Sequence, residues 1–204
     1  MPTALFAQAL ALATAAGIST YGTVALLGAA GHFGLIGPLP DGLSLVENPW
    51  IFGLAAVLYA VEFLGTLVPG VASLWETVHT AIRPVAGAVL AAATVAHTDP
   101  RLTLAATLLG GTLALGTHVT KLGTRVAVDT SPEPFSNGAA NVAELGFFGA
   151  LTLAVWQHPY VTLAVGLVIV VTTALLVRAA YRAIRGTLRR MRPGRAGVGV
   201  LGGR

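Results

Sequence analysis

The chain has 204 residues with 12 Lys and Arg against 8 Asp and Glu, a net charge of +4, and only 10% of its residues are charged, against about 25% in ordinary soluble domains. With 55% hydrophobic residues and a mean hydropathy of +0.79, it lacks the charge to cover a water-facing surface of this size, which excludes an ordinary soluble domain. Cysteine is absent, which excludes disulfides and thiolate metal sites.

Six apolar stretches run along the chain, at about 3–30, 50–67, 84–97, 102–120, 139–157 and 160–181. They are too long for strands, are rich in Ala, Leu and Gly, and show no period-2 alternation. They predict an all-α, polytopic transmembrane helical bundle of about six spans, occupying residues 1–182. The first stretch has no Lys or Arg ahead of it, so it reads as a retained anchor rather than a cleaved signal. It exceeds the roughly 20 residues that a span needs, and GISTYG (17–22) is its weak point. Small-residue runs such as GAVLAAA (87–93) and LGGTLALG (109–116) predict helices that approach closely, as lipid-embedded helices must to gain dispersion contact.

Eight of the twelve basic residues lie between Arg178 and Arg204. A basic flank after an apolar span is an orientation signal and a contact for anionic lipid headgroups, not a nucleic-acid site. With six spans and both termini on one side, that side also carries Arg83, Lys121 and Arg125, and the other only Arg101. Both termini are therefore expected on the cytoplasmic side of the membrane. Residues 183–204 form a basic tail without packing material and are expected to be disordered.

Residues 68–87, VPGVASLWETVHTAIRPVAG, place Glu76, His79 and Arg83 close together in a chain that is nearly free of charge. Val71, Leu74, Trp75, Val78 and Ile82 fall on one helical arc, and Ser73, Glu76, His79, Thr80 and Arg83 on the opposite one. Pro84 disfavours helical geometry at Arg83. The expectation is a short amphipathic helix, then a break, either interfacial or re-entrant. A second polar group follows: His118, Lys121 and Arg125 at the end of the fourth stretch, the loop DTSPEPFSN with Glu133, then Asn137, Asn141 and Glu144 on one face of the fifth. A broken or re-entrant element is expected near 129–141 as well. Glu62 sits near the end of the second stretch, at a depth similar to Glu144. Carboxylates inside spans are costly unless they face protein or water, so these residues predict one polar vestibule open to the cytoplasm.

PGVASLWETVHTAIRPVAGA and LTLAATLLGGTLALGTHVTKLGTRVAVDTSPEPFSN, with GISTYGTVALLG and ENPWIFGLAAVLYAVEF before them, resemble the bacterial membrane family catalogued as domain of unknown function 4126. The resemblance covers most of residues 15–182. Its H-T-x-x-R-P and S-P-E-P-F-S-N motifs are specific in combination. Gly65-Thr66-Leu67 and Ala72 depart from the more charged pattern of members near Pro69, so a role of those charges would not carry over here. The resemblance implies a membrane protein and supplies no activity. A weak inverted repeat, about 1–97 against 102–182, is suggested by pairing GISTYGT with GTHVTKLGT and AVEFLG with VAELGFFG.

The leading functional expectation is a small transporter or translocase. Arg83, Lys121 and Arg125 would attract an anionic solute or lipid phosphate, Glu62 or Glu144 would exchange protons or bind a cation, and His79 or His118 would relay protons. The alternative is a non-transporting scaffold or accessory subunit in which the polar cluster is structural. An intramembrane enzyme ranks third, because no metalloprotease, serine-hydrolase or phosphate-loop motif is present. No cofactor, metal site or catalytic residue is assigned. Membrane lipids are expected as partners, nucleic acid is not, and the sequence leaves homo-oligomers open.

Overall fold

The computed structural model describes residues 2–68, 70–129 and 134–191, and these form seven α-helices with one 3-10 segment and no strand. The helices are α1 Pro2–Ile18, α2 Thr20–His32, α3 Pro49–Gly65, α4 Val71–Thr94, α5 Pro100–Asp129, α6 Pro134–Gln157 and α7 Pro159–Met191; Asp41–Glu47 is the 3-10 segment. Local chemistry sets the boundaries. Proline, whose missing N–H costs nothing in a first turn, opens α3, α5, α6 and α7. Asn48 caps α3 by accepting from the Trp50 N–H at 2.9 Å. Gly70, at φ +86, makes the turn into α4 that residues with a Cβ avoid.

The first apolar stretch does break within GISTYG, at Ser19, where the backbone is extended and the side chain accepts from the Gly22 N–H. The break is a reversal rather than a tilt. Leu12 and Leu27 pack in one cluster from opposite sides of Ser19, and residues 37–41 return to line a cavity with Leu5 and Gln8. Thus α1 and α2 form a helical hairpin whose tip is Ile18–Ser19. Its first limb is the centre of the bundle. Ala9, Ala11, Leu12, Ala13, Ala15 and Ala16 are all fully buried, as expected of a helix that is apolar on every side.

Small residues allow this. A Cβ on Gly17 would lie 2.7 Å from the Ala114 Cα, and one on Gly110 would lie 2.5 Å from the Ala91 Cβ. Helices α1, α4 and α5 therefore pack backbone to backbone along the Gly and Ala runs.

The hairpin corrects the expected topology. The start of α1 lies beside His97, Trp156 and Tyr160, at the end of the bundle opposite its own tip. From Tyr160, α7 runs past Thr14 and Gly116 to Thr173, which bonds Thr120. The two ends of the described chain are therefore at opposite ends of the bundle, not on one side. Pro100–Arg125 and Asn137–Gln157 are long and apolar enough to cross a membrane, and the 3-10 segment with α3, bent by 67°, raises the count to three. Thr3–Ile18 and Pro159–Leu175 are shorter apolar stretches, so the candidate spans among the described residues number two or three against the six expected.

The break expected at Pro84 is absent. Helix α4 runs through Pro84 without interruption. The lost backbone bond costs about 3 kcal/mol, but the Pro84 carbonyl seats against Gly111, Gly87 packs on α5, and Arg83 is held by two carboxylates. Of the element expected near 129–141, Asn137 and Asn141 belong to α6. Residues 130–133, and with them Glu133, lie outside the described residues, as does the tail from 192 onward. The segments paired in the suggested repeat also differ in form, since GISTYGT is a hairpin tip and GTHVTKLGT lies inside unbroken α5.

Candidate functional site: a buried charged centre

Helix α4 is inverted relative to a soluble amphipathic helix. Glu76, His79 and Arg83 are buried, while Val71, Leu74, Val78, Val85 and Val89 are exposed. The polar arc thus faces protein and the apolar arc faces out, so the helix does not float as an interfacial element. Ser73 and Thr80 are exceptions on the polar arc, both lying toward the surface.

Arg83, itself 0% exposed, organises the centre. Its Nη2 donates to Glu62 Oε1 at 2.7 Å, and its Nη1 lies 2.7 Å from Glu76 Oε2. Nη1 also donates to His118 Nδ1 at 2.9 Å. Because guanidinium can only donate, His118 Nδ1 must accept, which leaves the His118 proton on Nε2. That N–H meets Thr80 Oγ1 at 2.9 Å, and the Thr80 hydroxyl donates in turn to the Glu76 carbonyl at 3.0 Å. The pattern fixes a neutral imidazole between Arg83 and Thr80.

Lys121 extends the network from α5. Its Nζ lies 3.2 Å from Glu62, 3.1 Å from Glu76 and 3.0 Å from Glu144, and donates to the Ile18 carbonyl at 3.0 Å. The hairpin tip therefore supplies both signs. The last carbonyl of α1 receives a cation, and Ser19, capping the start of α2, donates to Glu62 Oε2 at 3.2 Å. Both contacts follow the polarity of helix ends. One turn further along α5, Arg125 forks onto Glu144, with Nε to Oε1 at 3.0 Å and Nη2 to Oε2 at 3.1 Å. Nη2 also donates to Asn141 Oδ1. The Asn141 amide nitrogen donates to the Phe63 carbonyl at 2.8 Å, which ties α6 to the end of α3.

Three carboxylates (Glu62, Glu76, Glu144) thus face three cations (Arg83, Lys121, Arg125), and the two histidines need carry no charge for the centre to be neutral. Every one of the six except Glu144, at 20% side-chain exposure, is almost wholly buried. Such a set is expensive in a low-dielectric interior and persists only when its members satisfy one another. Some capacity is unused. Arg125 Nη1, Arg83 Nε, His79 Nε2 and both amide atoms of Asn137 are buried without a hydrogen-bond partner.

The predicted residues therefore converge, but not as an open vestibule. The void among Ser19, Tyr59, Glu62, Thr66, Lys121, Arg125, Asn141 and Glu144 is only about 10 Å³, room for about one water. Ion pairs fill the space that the sequence leads one to expect as a hollow. His79 is next to the network rather than in it: its Nδ1 donates to the Trp75 carbonyl at 2.7 Å, and its ring stacks on Trp75 and meets the edge of Tyr21. Asn137 is buried in α6 but unpartnered. Among the described residues, no three His, Asp or Glu side chains are arranged to hold a metal ion.

Sequence reasoning misses Ile18, Ser19 and Thr66. Ile18 contributes through its backbone, which no residue type reveals. Thr66 is one of the residues that depart from the charged pattern near Pro69, and its hydroxyl meets Asn141 Oδ1 at 3.2 Å.

Fold and site together define an all-helical protein with two or three helices able to span a membrane and a neutral, closed set of ions at its centre. The chain belongs to the family described as Domain of unknown function (DUF4126), which it matches over residues 6–179. No curated protein and no solved structure matches it.

Proposed function

We propose that this protein is a small transporter or translocase of the bacterial inner membrane, handling an anionic solute or a lipid phosphate, with the charged centre as its binding and coupling site. The observation that carries the reading is the burial of three carboxylates and three cations, in balance, at the tip of a helical hairpin. Apolar side chains of similar size would stabilise a bundle at least as well. Ionisable residues within membrane helices mark ion and substrate paths, and helix ends meeting at mid-depth are a recurrent form of such sites. Neutrality gives the coupling rule. An arriving anion leaves the centre one charge out of balance, and a proton on a carboxylate restores it. Glu144, the most exposed of the three, is the carboxylate assigned to that proton. The closed geometry then corresponds to an occluded state.

In this reading α3 to α7 cross the membrane and the α1–α2 hairpin enters from outside. The stretch from Arg178 to Arg204, with eight of twelve basic residues, is cytoplasmic, and Arg101 marks the outer end. The absence of cysteine makes a clean test. Thr3→Cys in intact cells is expected to react with a membrane-impermeant maleimide, whereas Arg185→Cys reacts only after permeabilisation. Protection of Thr3→Cys would restore a topology with both termini inside.

The functional test is flux into proteoliposomes that trap a pH dye, with inorganic phosphate or a short-chain lipid phosphate added outside. Wild type is expected to move anion and protons together. Glu144→Gln should abolish the proton signal, and Arg83→Lys should slow anion flux. Unchanged flux and coupling in both variants would end the proposal. The second reading, a scaffold or accessory subunit, draws on the same closure of the site; a stoichiometric co-purifying partner without any flux would favour it.

A further inference from the structure

A second cavity touches the charged centre from the side. It has a volume of about 210 Å³ and lies between α5, α6 and α7, with Ile18, Thr120, Thr124, Phe147 and Ile169 in its wall. Its surface is apolar despite the threonines. Thr117, Thr120 and Thr124 donate their hydroxyls to the carbonyls of Leu113, Gly116 and Thr120, leaving methyl groups as the remaining surface. Two residues belong to both this cavity and the small polar void: Lys121 and Glu144. Their ion pair, at 3.0 Å, is the partition between an apolar space and a charged one.

Glu144 holds that partition as a ligand would. Its two oxygens occupy the Arg125 fork and the Lys121 ammonium, the arrangement that recognises carboxylate or phosphate. Arg125 Nη1 remains buried and without a partner, so the fork has a donor to spare for an anion with three oxygens. Building on the reading above, we propose that Glu144 is a stand-in for the headgroup of a lipid phosphomonoester. The part of the acyl chain nearest the headgroup lies in the cavity between α5, α6 and α7, the rest extends into the surrounding lipid, and the phosphate displaces the Glu144 carboxylate from Lys121 and Arg125. An apolar passage ending on the Lys121–Glu144 pair, with Arg125 on the far side of Glu144, fits an amphiphilic anion and gives a free anion no use for its walls.

The test is equilibrium binding of radiolabelled oleoyl-lysophosphatidic acid to the purified, delipidated full chain in an uncharged detergent. Inorganic phosphate and oleoyl-lysophosphatidylcholine serve as competitors. The lysophosphatidic acid is expected to bind at least about tenfold more tightly than either, the ratio equivalent to about 1.4 kcal/mol. Glu144→Gln, which removes the resident carboxylate but keeps its shape, should tighten binding further. Thr124→Phe, at an exposed position in the cavity wall, should weaken lysophosphatidic acid and leave phosphate unchanged. Equal affinity for the zwitterionic lipid or for phosphate overturns the proposal, as does a Thr124→Phe variant that binds like wild type. Should Glu144→Gln fail to fold, the ligand comparison and Thr124→Phe decide alone. Anion flux without chain-dependent binding sinks this inference and spares the transport reading; chain-dependent binding without any flux does the reverse.

Discussion

Arg83→Ala is expected to cost the bundle about 3–5 kcal/mol, the penalty for stripping a buried ion of its partner. The loss is this large because one guanidinium serves two carboxylates and an imidazole: Glu62 at 2.7 Å, Glu76 at 2.7 Å and His118 at 2.9 Å. Alanine leaves Glu62 and Glu76 sharing Lys121, with the Ser19 hydroxyl beside Glu62 and the His118 ring 3.6 Å from Glu76, and little room for water to replace what is lost. Arg83→Lys keeps the charge but not the fork, so one ammonium cannot reach all three partners, and an intermediate loss is expected. Unfolding of the purified protein by titration with a denaturing detergent measures both. A loss below about 1 kcal/mol for Arg83→Ala, the range of a surface pair, would mean that the carboxylates are not held as described.

Gly17→Ala is the second large effect. The added carbon would meet the Thr117 hydroxyl and the Ala114 carbonyl, and would lie 2.7 Å from the Ala114 Cα. Two of these atoms are backbone and cannot rotate away, so α1 and α5 must separate. Overpacking of this kind costs about 1–3 kcal/mol. The shift would also move Ile18, whose carbonyl receives Lys121, so the damage should reach the charged centre. Gly53→Ala is the control, because nothing lies within 4 Å of a Cβ there. In a helix interior alanine outdoes glycine by up to about 1 kcal/mol, so Gly53→Ala should be neutral or stabilising in the same unfolding titration. Equal behaviour of the two variants would show that α1 is not packed against α5 at Gly17.

The helical class and the members of the site are legible in the sequence because both are matters of composition and spacing. Glu76, His79 and Arg83 share an arc at helical spacing, and so do His118, Lys121 and Arg125; few charges in an oily chain must pair, and they do. What spacing cannot give is the direction in which a chain leaves a break. GISTYG is visible as a weak point, yet a kink and a reversal use the same residues; what separates them is that Leu12 and Leu27 share one cluster and that residues 37–41 return beside Leu5 and Gln8. That single reversal moves the start of α1 to the other end of the bundle. Pro84 misleads for a related reason: local rules predict a break, whereas Gly87, Gly110 and Gly111 let α5 close on the helix and hold it through the proline. The vestibule fails on volume. Sequence shows which side chains meet, and here arginine, lysine and glutamate fill the space they line.

The transport reading, the coupling rule and the lipid site all require that the charges of separate helices hold one another in a shared interior. A double-mutant cycle between Glu62 on α3 and Arg83 on α4, using Glu62→Gln and Arg83→Gln, measures this directly. A coupling energy of at least about 1.5 kcal/mol is predicted, the lower bound found for close buried charge pairs. Additivity of the two substitutions within about 0.5 kcal/mol, the behaviour of independent sites, would contradict it.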